Sequence, residues 1–105
     1  MICTVDRIPG KRVVRVLGLV RGNTVRTRHL GRDLTAAFKN ITGGEIREYT
    51  KLMAEAREQS LDRMREEAAQ LGADAILGVR FITTEVMQAA AELLVYGTAV
   101  VLEDE

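Results

Sequence analysis

Between Gly43-Gly44 and Gly72 lies one uninterrupted segment, Glu45 to Leu71, reading EIREYTKLMAEAREQSLDRMREEAAQL. Apolar or small residues recur at Ile46, Tyr49, Met53, Ala56, Ser60, Met64, Ala68 and Leu71. These steps of three and four place them on one stripe of a helix. At ~1.5 Å per residue such a helix runs roughly 40 Å. A compact sphere of this chain length has a diameter of only about 34 Å. A helix longer than its own subunit is wide predicts a chain that completes its core against copies of itself.

With 105 residues, 47% hydrophobic and 29% charged, the composition fits one domain over residues 1–105. Fifteen basic and fifteen acidic side chains cancel, so the balance draws neither nucleic acid nor an anionic membrane. No run approaches the ~20 apolar residues of a membrane span, and MICTVDRIPGKR lacks the order of a signal peptide. Cytoplasmic placement is the expectation. One cysteine, Cys3, leaves no internal disulfide framework.

Around the helix the pattern is that of strands. Ile2 to Val5 reads as a short strand ended by Pro9-Gly10. Arg12 to Val20 reads as a long one, interrupted at Arg21-Gly22-Asn23-Thr24 by a bulge or turn and extending through Arg28. Strict alternation would send Val14, Val16 and Val20 one way and Val13, Leu17 and Leu19 the other. Gly31 to Thr42 predicts a short helix, capped by Asp33 and bearing Leu34, Ala37, Phe38 and Ile41 at helical spacing. ADAILGVRFITT and LLVYGTAVVLED read as two further strands, whereas residues 84–92 leave a helical turn and a strand extension both open. Gly18, Gly78 and Gly97 inside the strands mark bulges, bends or close approaches. Both faces of the strands are apolar, yet one long and one short helix cover only one. At ~25 cal/mol per Å² a wet second face would forgo several kcal/mol, so a second subunit or a ring is the expected cover.

The segments RGNTV, RHLGRDL, TGGEI followed by EYT, and YGTAVV give the chain, from about residue 12 to 103, a resemblance to the YbjQ-like family. That resemblance implies an α+β subunit of βαββ order, similar in build to dodecin: a curved, mainly antiparallel sheet with one long and one short helix. It further implies a homopentameric ring and heavy-metal ions as candidate ligands.

The chain's own ligand inventory for a soft metal is sparse. Such ions take thiolate, thioether or imidazole donors, and here these are Cys3, His29 and the methionines, with no CxxC, CxC, HxH or HExxH spacing. Met53 and Met64 fall on the apolar stripe of the long helix, where core filling explains them. Metal at Cys3 or His29 therefore calls for symmetry, several copies converging on one axis. A second candidate is the cationic stretch Arg21, Arg26, Arg28, His29 and Arg32, running into the start of the short helix. Arginine forks and free backbone N–H groups there suit an anion or nucleotide. The competing role is pairing with acidic side chains of a neighbouring subunit. One His and one Cys offer few sets of nucleophile, base and orienting group, and neither GxxxxGK[ST] nor GxGxxG occurs. The expectation is a non-enzymatic, self-associating module whose partner is itself.

Overall fold

The computed structural model describes residues 1–27, 47–87 and 90–105; the side chains of residues 47–49 also lie outside it. Its elements are strand β1 (Lys11–Thr27), helix α1 (Arg47–Gln70), strand β2 (Ala75–Met87) and strand β3 (Ala90–Asp104). The short helix expected at 31–42 lies outside the described residues. The three strands pair antiparallel, in the order β1-β3-β2. The long C-terminal strand is thus its centre.

Helix α1 forms where the stripe predicts, and Ala56, Ser60, Met64 and Ala68 are buried along it. Its end is a glycine stop. Gly72 adopts φ +79°, and the N–H groups of Gly72 and Ala73 return to the carbonyls of Ala69 and Ala68, which satisfies backbone acceptors the last turn would leave bare. Ala73 then packs on the core. Of the helix-face ion pairs that spacing suggests, Asp62–Arg65 forms at 2.9 Å, whereas Arg63 turns to the strand and donates to the Asn23 carbonyl.

The helix lies over β1 and β3 and meets β2 only near its start. There Ile76 and Val79 join Val20, Met64, Ala68, Val95 and Ala99 in the main core. A smaller cluster on the opposite sheet face, Ala75, Leu77 and Val100, is covered by Cys3, Ile8 and Leu102. The N-terminal segment reaches it by running along β2's outer edge, where Cys3 N–H bonds to Ile76 O and Val79 N–H to Cys3 O, both at 3.0 Å. The residue 2–5 segment is therefore an edge addition to the sheet.

Strand β1 departs from the sequence reading in two ways. It is continuous through Gly22-Asn23, where an interruption was expected, and its irregularities lie earlier, between Val13 and Arg15 and between Val16 and Gly18. Gly18 sits at the second with φ +121°, a conformation open to glycine and costly for other residues. Each bulge inserts one residue and so resets which side chains share a face. As a result Val13, Val16 and Leu19 lie together on the face away from the helix, while Leu17 and Val20 face it. Strand β3 carries no such insertion opposite them, and its faces divide as alternation predicts. Leu93, Val95 and Ala99 are buried, and Leu94, Tyr96 and Val100 lie on the other side. Of residues 84–92, those described, 84–87 and 90–92, are strand: β2 runs to Met87 and pairs with β3 from Ala90.

The molecule is a thin slab of 56 × 25 × 16 Å. A 17-residue strand at ~3.3 Å per residue accounts for the long dimension, so the helix fits along a subunit far from spherical. What alternation anticipated does appear: apolar side chains stand uncovered on the open face, among them Val16 at 67% and Leu19 at 61% exposure. Val13, Val25 and Ile82 are exposed with them.

Candidate functional site

The segment Arg21-Gly22-Asn23-Thr24 is the place where strand and helix are locked together. A Cβ on Gly22 would lie 2.0 Å from the Ser60 carbonyl oxygen and 2.8 Å from Met64 N. Only a residue without a side chain lets the two backbones approach so closely. Two residues on, Thr24 Oγ1 and Ser60 Oγ hydrogen-bond at 2.8 Å, both buried, and Ser60 Oγ also donates to Leu93 O at 3.3 Å. Buried hydroxyls need such partners to avoid a desolvation cost of about 1–3 kcal/mol each. Asn23 closes the motif on the other face, its amide donating to a Glu92 carboxylate oxygen at 3.4 Å. The RGNTV segment is thereby accounted for as a helix–strand clasp.

The same alternation separates two of the candidate arginines. Arg21 lies between the helix-facing residues Val20 and Gly22, so it projects onto the open face and is exposed. Arg26 lies on the helix side, where its guanidinium donates to Gln59 Oε1, and its Nε is buried with no hydrogen-bond partner among the described residues. Arg28, His29 and Arg32 lie outside the described residues.

Cys3 is half-buried at the sheet edge, against the smaller apolar cluster. Among the described residues no three His, Cys, Asp or Glu side chains group together as metal ligands. A soft divalent ion wants about four donors, and the surroundings of Cys3 are Ala75, Leu77 and Val100. Among the described residues of one copy, the donor set around Cys3 does not fit a heavy-metal ion.

Among the described carboxylates one departs clearly from ordinary behaviour. Asp104 is held below the usual carboxylate value by a hydrogen bond from Lys11 and by that ammonium's charge. With Arg12–Glu103 and Arg7–Glu105, this pair ties the entry of β1 to the end of β3. All three pairs are exposed at the rim, and their role is structural.

Sequence reasoning missed two features of this region. Tyr96 and Arg80 are the register partners flanking the open-face row that starts at Arg21: Arg21 pairs with Tyr96, and Tyr96 with Arg80. The signal was partly visible in the alternation of β3, which puts Tyr96 on the face opposite Val95. The strand order that brings Arg80 beside it was not.

Comparison with known proteins agrees with the fold and with the sequence motifs. A family model described as "Putative heavy-metal-binding" matches residues 1–103. A UPF0145 protein of Thermus thermophilus is 56% identical over 103 residues, covering 98% of this chain and 90% of that protein. One from Hahella chejuensis is 54% identical, covering 98% and 99%. A crystal structure of a protein of unknown function from Pediococcus pentosaceus superposes with a TM-score of 0.61 at 19% identity, covering 98% of this chain and 97% of that one. That likeness speaks to the fold. No helix among the described residues is long and apolar enough to cross a membrane.

Proposed function

The chain belongs to the YbjQ-like family of UPF0145 proteins, and from that premise we propose that it works as a non-enzymatic homo-oligomer, a ring of five copies. In this reading heavy-metal ions are held between copies, at Cys3 and His29, and not within one. The observation that carries the reading is the uncovered apolar strip Val13, Val16 and Leu19 on the open face of β1. β1 has no strand neighbour on its outer side among the described residues. A long, exposed, apolar edge strand is a template for pairing with another chain. At the opposite edge, among the described residues, β2 is capped by the N-terminal segment over residues 76–79, so each copy offers two different edges. Two dissimilar edges make a head-to-tail contact, which closes into a ring when the rotation per copy permits. Cys3 runs along the second edge, so in a closed ring its copies recur at every subunit boundary.

The metal part of the reading is tested by loading the purified protein with Cd²⁺, separating free ion by gel filtration and measuring bound metal per chain. Retained metal that falls to background in Cys3→Ala or His29→Ala is the expected result. Uptake that is absent in the native chain, or equal in both variants and the native chain, removes these ligands.

A further inference from the structure

We propose that Arg21, Tyr96 and Arg80 form a binding site for an oxyanion, a phosphate or carboxylate, on the open face of the sheet. The three residues occupy one row across all three strands, Arg21 opposite Tyr96 and Tyr96 opposite Arg80. Their chain neighbours fix the direction in which they point. Val20, Val95 and Val79 lie in the main core and Gly22 against the helix, so the row itself projects away from the helix. Residues directly opposite in an antiparallel sheet hold their Cβ atoms about 4.5–5.5 Å apart. Two arginines therefore flank one tyrosine, each one strand spacing from it on the same face.

The row is rich in donors and poor in acceptors. Arg80 spends Nη1 on the carbonyls of Thr4 and Val79, both at 2.9 Å, which holds the side chain in place and leaves other N–H groups free. Arg21 is exposed and makes no ion pair or hydrogen bond among the described residues, and the half-buried Tyr96 spends no hydroxyl bond there either. The rows on either side are Leu19, Thr98 and Leu77 in one direction and Asn23, Leu94 and Ile82 in the other, all uncharged. Glu92, two rows away on this face, accepts from Asn23. Asp6 of the N-terminal segment lies near Gly78 and forms no ion pair with Arg80. The planar guanidinium fork can pair two N–H groups with two oxygens of a carboxylate or a phosphate, and a phenol between two such forks adds a further donor and a stacking surface. The site shares only Arg21 with the basic stretch picked out in the sequence, and it does not depend on the metal reading.

The test uses the full chain, with inorganic phosphate, malonate and adenosine monophosphate titrated by calorimetry at low salt. The native chain is expected to bind phosphate, with affinity falling about tenfold or more in Arg21→Gln. In Tyr96→Phe binding falls by a smaller factor. Arg15→Gln, an exposed arginine of β1 whose register partner is Val101, is expected to bind as the native chain does. Phosphate and malonate binding equally would mark a general oxyanion site, and a clear gain for the nucleotide would mark the tyrosine as a base platform. The proposal is overturned if none of the three binds at millimolar concentration, or if Arg21→Gln and Arg15→Gln lose affinity alike. It is also overturned if Arg21→Gln lowers the assembled mass while leaving phosphate binding unchanged, since the arginine would then serve subunit pairing.

Discussion

Gly22 stands in the middle of a 17-residue strand because a helix backbone occupies the space its side chain would need. In the sequence the RGN tripeptide looks like a turn, since Gly and Asn are turn residues where they stand alone. The nearest helix atoms lie some forty positions further along the chain, and nothing local announces them. Thr24 and Ser60 follow the same logic: a hydroxyl inside a helix stripe is readable as a small residue, but its partner becomes known only when the strand is laid across it. Gly22→Ala is expected to cost about 3 kcal/mol, because the new methyl meets the Ser60 carbonyl and the helix must move. Urea denaturation monitored by circular dichroism measures it, and a variant as stable as the native chain would contradict the close approach.

At the scale of elements, periodicity carried most of the information. The stripe of α1 and the two faces of β3 are legible because neither contains an inserted residue, so period 3.6 holds from Ala56 to Ala68 and period 2 from Leu93 to Val100. The faces of β1 were legible only in part. Two bulges within six residues moved Val16 and Leu17 to the sides opposite those that alternation assigns. The glycine at position 18 gave notice of a bulge but not of its register. The candidate site suffered similarly: Arg21 stood out in the sequence, whereas Arg80 and Tyr96 joined it through strand order. Where β1 enters the sheet, Lys11 opposite Asp104 makes a prediction about pH. A carboxylate whose folded value is depressed contributes stability above its ordinary pKa and loses it as pH falls through the folded value. NMR titration is expected to show the Asp104 midpoint below 3.8 in the native chain and back at that ordinary value in Lys11→Ala. Identical midpoints in the two proteins would deny the pairing. Asp104 is exposed to solvent, so added salt should weaken the effect.

At the scale of the whole molecule, the described residues cover the sheet on one side with α1 and only patchily on the other. The N-terminal segment protects Ala75, Leu77 and Val100, and beyond it Val13, Val16 and Leu19 stand in the open. Apolar strands on both faces and one long helix were visible in the sequence, and the need for further cover follows from them. The flatness of the slab was not, because a spherical estimate ignores strands as long as β1 and β3. Association through that strip and the two sheet edges is the claim on which the proposed function depends. Multi-angle light scattering on the eluting protein at micromolar concentration tests it most directly. A ring of five 11.6 kDa chains predicts a mass of about 58 kDa, and a single species at 11.6 kDa would contradict the account.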